Sequence, residues 1–88
     1  MTMLEQIKVL YLNDEQGEFL KYAILADQTG RAALVLVHIS LQHQIGQLSW
    51  AVWTKVDELS VPLAEETPEA ALRLAVAACV DHRASWQK

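Results

Sequence analysis

The run Leu34-Val35-Leu36-Val37 restricts the fold of this chain more than any other segment. Four successive aliphatic residues, two of them β-branched, suit a pleated strand. Both parities are apolar, so both faces of that strand need cover, and a strand covered on both faces belongs inside a sheet and not at its edge. The rest of the chain must therefore supply strands on either side and a layer to lie across them.

The flanking segments have the pattern of a meander. In residues 6–12, Ile7, Val9 and Tyr11 alternate with Lys8, Leu10 and Leu12. A helix with Leu4, Ile7 and Tyr11 on one stripe competes, but the block is short and rich in β-formers, which favours a strand. Asn13, Asp14 and Gly17 then make a turn. A second strand over 18–26 is anchored by Phe19, Tyr22 and Ile24, and Asp27-Gln28-Thr29-Gly30 reads as a tight hairpin with Gly30 left-handed. The third strand covers 31–40, and 41–46 reads as a loop carrying His43 and Ile45. In the fourth strand, 47–54, Leu48, Trp50 and Val52 face one way and Gln47, Ser49, Ala51 and Trp53 the other. Leu59, Val61 and Leu63 alternate with Glu58, Ser60 and Pro62, which predicts a short fifth strand over 58–63. Pro62 cannot donate to a ladder, so that strand belongs at an edge.

The last segment changes period. Thr67 is placed to cap a helix that starts at Pro68, with Glu69 in the first turn and Arg73 four residues on. Leu72, Ala75, Val76, Cys79 and Trp86 gather on one stripe at 100° per residue, which predicts a helix over 68–86. Its alanines permit close approach to a sheet. The expected architecture is α+β: an antiparallel β-meander of four to five strands followed by one C-terminal amphipathic helix packed on one sheet face, all within a single domain over 1–88.

Composition agrees with a self-sufficient core. A folded monomer of 88 residues buries about 64 % of its surface, enough without disulfides or a metal. Hydrophobic residues are 52 % and charged residues 20 %, which excludes disorder. Net charge is −4, and the basic residues are scattered, so nucleic-acid binding has no electrostatic footprint. The single cysteine, Cys79, allows no internal disulfide, which suits a reducing compartment. The apolar stretch 32–37 is far shorter than the ~20 residues that span a bilayer, and the first residues lack the pattern of a signal peptide. A cytoplasmic protein with no membrane partner is expected.

Catalytic chemistry finds little raw material. Cys79 and His82, three apart on the helix, meet a metal only if His38 joins them from the sheet, and one such pair falls short of the usual two. No nucleophile elbow and no phosphate loop is present among the serines and glycines. The adjacent carboxylates Asp14-Glu15, Asp57-Glu58 and Glu65-Glu66 read as solvated turns. No metal, no cofactor and no catalytic residue is expected.

One helix cannot cover both faces of a five-strand sheet, so a surplus of apolar surface is expected. The leading expectation is a non-enzymatic interaction module, a homodimer acting as an adaptor or stoichiometric inhibitor of a larger protein. Val35, Val37, Trp53 and Leu74 are its expected interface, with exposed Trp53 as the hot spot. Trp50, on the opposite parity, is expected to be a core anchor whose truncation unfolds the protein. The alternative is a small-ligand binder whose pocket between helix and curved sheet is lined by Tyr22, His38, Trp50 and Cys79. An enzyme requires polar groups to converge at His38, His43 or His82.

Overall fold

The computed structural model describes residues 4–13, 19–61 and 67–86. Four strands form one antiparallel sheet in sequence order: β1 Glu5–Asn13, β2 Phe19–Ala26, β3 Ala32–Ile45 and β4 Leu48–Ser60. One helix, α1 Pro68–Ser85, packs on one face. The expected meander and C-terminal helix are both present.

The helix forms where its caps are. Thr67 is extended, its hydroxyl accepts from the Ala70 amide at 3.1 Å, and Pro68 opens the first turn. Glu69 and Arg73 pair at 2.8 Å on the solvent side. Ala71, Ala75 and Cys79 are buried, so small side chains line the contact and bring the helix axis close to the sheet. Beneath them lie Leu20, Tyr22, Ile24, Val35 and Val37, all fully buried.

Register fixes what each face carries. Leu20 pairs with Ile39, Tyr22 with Val37 and Ile24 with Val35, and directly opposed residues share a face. The helix therefore takes the Val35 and Val37 parity of β3. Leu34, Leu36 and His38 fall on the other, open face. Val35 and Val37 were expected at an interface; both are 0 % exposed beneath the helix instead. Leu74 is corrected in the same way, because it packs against this core and is not left on an outer helix face.

The hairpins differ from expectation in one place. The Asp27 turn is as expected: Gly30 has φ +80°, its amide bonds the Asp27 carbonyl at 3.0 Å, and the Asp27 carboxylate accepts from the Thr29 amide at 2.9 Å. The expected loop over 41–46 is strand. Leu41, His43 and Ile45 alternate with Gln42 and Gln44, and β3 continues to Ile45 before a two-residue turn at Gly46-Gln47. Gly46 has φ +60° and Gln47 is not left-handed, the pattern of a type II′ hairpin turn whose twist suits the flanking strands.

A separate fifth strand is also corrected. Leu59 and Ser60 belong to β4, which pairs with β3 along its length apart from one register shift, where Asp57 faces Val37 but Lys55 faces His38. Val56 is the extra residue, a bulge that increases local twist. It lets one continuous strand do what two were expected to do. The expected edge position of Pro62 lies outside the described residues.

Length explains the overall shape. An α-helix of 18 residues is about 27 Å long, whereas a strand of 14 residues reaches about 47 Å. The helix therefore covers only the first part of β3. The end of the β3–β4 hairpin projects beyond it as an arm, giving extents of 52 × 30 × 16 Å. The radius of gyration is 14.7 Å, against about 12 Å for a compact domain of this length.

Candidate interaction surface

Among the described residues two apolar surfaces stand out once the core is closed, one on each side of the sheet. The first is the open face. Lys21 of β2 pairs with Tyr11 of β1 and with His38 of β3, and Trp53 of β4 opposes Ser40. The edge strands stand three strand spacings apart, about 14 Å. Even so, the Tyr11 and Trp53 rings meet at 5.8 Å between centroids, so the two rings lean toward each other across the face. The Lys21 ammonium lies 5.7 Å from the Trp53 ring centroid, within cation–π range. Trp53 is 39 % exposed, and Tyr11 and Phe19 on the same face are exposed as well. His38 lies in this face, and its Nδ1 is buried without a hydrogen-bond partner among the described residues.

The second surface is the arm. Leu41 opposes Val52, His43 opposes Trp50 and Ile45 opposes Leu48. By alternation from Ile39 these six share the helix side of the sheet. All are exposed: Ile45 is 69 %, Leu48 71 % and Trp50 42 % open to solvent. His43 stacks on Trp50 with centroids 5.6 Å apart. The arm's other face carries Ser40, Gln42, Gln44, Ser49 and Ala51, with Trp53 at its base.

Trp50 needs a correction. It lies on the helix side of its strand, as expected, but past the helix end. It is no core anchor, and the expectation that its truncation unfolds the protein falls with that placement. The four residues expected to line a ligand pocket are therefore not brought together. Tyr22 and Cys79 are buried in the core, Trp50 stands on the arm, and His38 is on the opposite side of the sheet.

The three histidines do not converge either. His43 is on the arm, His38 on the open face, and His82 on the helix side. His82 completes a polar chain: the Tyr22 hydroxyl lies 2.9 Å from its Nδ1, and its Nε2 lies 2.9 Å from Asp57 Oδ2. The arrangement with Tyr22 donating to Nδ1 and Nε2–H donating to Asp57 satisfies all three groups. His82 also stacks on Trp86 at 5.3 Å. The chain ties β2, β4 and α1 together. Burial raises the Tyr22 phenol far above its ordinary value and pushes the Cys79 thiol up to about 11, so both stay neutral and Cys79 is no thiolate nucleophile. Among the described residues no three His, Cys, Asp or Glu side chains gather as a metal site, and no helix is long and apolar enough to cross a membrane.

The His82 hydrogen bond, followed by the Glu58 amide at 2.8 Å, holds the Asp57 carboxyl below its ordinary value of 3.8. A carboxyl lowered in the folded state contributes stability above its unfolded pKa and loses it as pH falls through the folded one. Acidification below pH 3.8 is therefore expected to destabilise the native protein more than Asp57→Asn. Urea midpoints at neutral pH and at about pH 3 measure this; equal acid losses in the two proteins would show that the His82 bond is not coupled to folding.

The sequence reading missed the open-face partners Tyr11, Phe19 and Lys21, because strand order alone brings them beside Trp53. It missed Leu41, His43 and Ile45 as strand residues although their alternation was visible, because the glutamines between them resemble a loop; Leu48 was on the expected strand and parity, but not expected to be uncovered. The Tyr22–His82–Asp57 chain has no local signal at all, since its members are distant in sequence. Comparisons with protein families, with curated proteins and with solved structures find no match.

Proposed function

We propose that this chain is a non-enzymatic interaction module, a homodimer that acts as an adaptor or stoichiometric inhibitor of a larger protein. The open sheet face centred on Trp53 is its surface for that protein. The observation that carries this is the aromatic cluster itself. Trp53, Tyr11 and Phe19 are exposed on one face with the Lys21 ammonium over the indole. Exposed tryptophan and tyrosine gathered in one patch are the usual anchors of a binding surface. The polar chain at His82 supports the non-enzymatic reading, because all its members are spent on joining helix to sheet.

The face selects a partner by chemistry. Its aromatic rings accept an apolar side chain, and Lys21 accepts a carboxylate beside it. Panning a library of random twelve-residue peptides against the protein is expected to enrich an aromatic or large aliphatic residue within a few positions of Asp or Glu. Such peptides are expected to bind Trp53→Ala roughly thirtyfold more weakly or worse, the loss of a hot spot. The urea midpoint should stay nearly unchanged. Peptides that bind Trp53→Ala as well as the native protein would move the partner surface elsewhere.

A further inference from the structure

We infer that a second copy of this chain seats on the apolar face of the β3–β4 arm, the two arms stacking antiparallel about a two-fold axis. The inference rests on the homodimer reading above and names the surface responsible, which is distinct from the Trp53 face.

Four observations point to a second copy. The first is that a two-stranded ribbon is marginal by itself in water, and it needs a further layer on its apolar face. Here that face carries Leu41, Ile45, Leu48, Trp50 and Val52, all exposed, and no described segment of the chain reaches it. The second is charge. Residues 40–53 contain no Asp, Glu, Lys or Arg, in a chain of net charge −4. Two such chains meet through this arm without opposing like charges at the contact. A differently charged partner finds nothing on the arm to recognise.

The third is area. The chain exposes 6113 Å², about 900 Å² more than a compact monomer of its mass. A standard interface buries about 800 Å² on each partner. The exposed apolar residues of the arm account for on the order of 500 Å², so two arms face to face bury about 1,000 Å² before any rim contact, the lower bound for a specific interface.

The fourth is shape. The helix runs from the Asp27 turn, where Pro68 lies near Gly30, toward the arm, where Arg83 donates to the Asn13 carbonyl. It ends at the level of Ser40, so the molecule is a step, with the helix as riser and the arm as tread. Six paired positions, Ser40–Trp53 to Ile45–Leu48, make the tread about 20 Å deep. A helix and a stacked sheet both rise about 10 Å above the strands they cover. A partner's arm laid on the tread therefore lies flush with the helix. The two-fold must reverse the arm direction, because parallel arms would drive helix against helix and hold the treads apart. In the antiparallel stack each Gly46-Gln47 turn lands beside the partner's Trp86.

The test begins with the native protein. Light scattering over a hundredfold concentration range is expected to show a dimer. Isotope-filtered contacts in a mixture of labelled and unlabelled chains are expected between the Ile45 and Leu48 methyls of one copy and the Trp86 ring of the other. The double variant Ile45→Glu, Leu48→Glu is expected to weaken the dimer roughly a hundredfold or more, since it buries carboxylates without partners. The opposite-face control Gln42→Glu, Ser49→Glu and the variant Trp53→Ala are expected to remain dimeric. A native protein that is monomeric throughout overturns both the homodimer reading and this inference. A native dimer lacking the Ile45, Leu48 to Trp86 contacts, or unaffected by the charged double variant, overturns this inference alone and leaves the homodimer reading to another surface.

Discussion

Tyr22→Ala is expected to cost about 3–5 kcal/mol, the range for removing a buried aromatic ring, and to leave the protein at or past the edge of folding. Three losses coincide at this position. The ring is 0 % exposed and fills the centre of the helix–sheet contact. Its edge packs on the His82 imidazole at 5.6 Å and 81°, a T-shaped pair that adds to the area term. Its hydroxyl satisfies His82 Nδ1 at 2.9 Å, and truncation leaves that part-buried nitrogen without its partner. Tyr22→Phe separates these terms. It keeps the ring and removes only the hydroxyl, so a loss of about 1–3 kcal/mol is expected for the orphaned nitrogen. Equilibrium urea unfolding at fixed protein concentration, with the slope checked for constancy, measures both. A phenylalanine variant as stable as the native protein would show that the Tyr22–His82 bond makes no net contribution.

Ala75→Leu is expected to destabilise by about 1–3 kcal/mol or more, through overpacking and not through any cavity. Ala75 is 0 % exposed at the centre of the helix stripe, between Ala71 and Cys79, and directly above the strands. Three extra carbons there force the helix away from Val35 and Val37 or drive side chains off their rotamers. The same change at Ala77, exposed on the outer side of the helix, is expected to stay within about 0.5 kcal/mol. Comparing the two urea midpoints makes the result independent of leucine's own helix propensity. Equal effects at the two positions would mean that the helix is not seated by its alanines.

What the residues made legible was local. Thr67-Pro68 placed the helix start, Asp27 to Gly30 placed a hairpin, and the parity of 47–54 put Trp50 and Trp53 on opposite faces; each rests on chemistry within a few residues. Length and side are what local pattern leaves open. Val35 and Val37 and their neighbours Leu34 and Leu36 are equally apolar, so nothing in the pattern says which pair the helix takes. Trp50 lies on the face its parity implies, but the helix stops short of it, because the reach of a helix along a strand depends on where the helix is docked. Gln42 and Gln44 concealed a strand, since polar residues on an uncovered face alternate with apolar ones without giving the segment a hydrophobic appearance.

The sequence by itself determined the C-terminal helix, the strands on either side of Asp27 and the hairpin that joins them, because capping, turn chemistry and period act over short range and need no partner. Only the tertiary structure decided the rest. It settled the face that receives the helix, the bulge at Val56 that keeps β4 continuous, the chain joining Tyr22, His82 and Asp57, and the meeting of Tyr11 with Trp53 across the sheet. Each of these depends on the position of one element against another. That position is set by the summed packing of many side chains, which no single segment encodes.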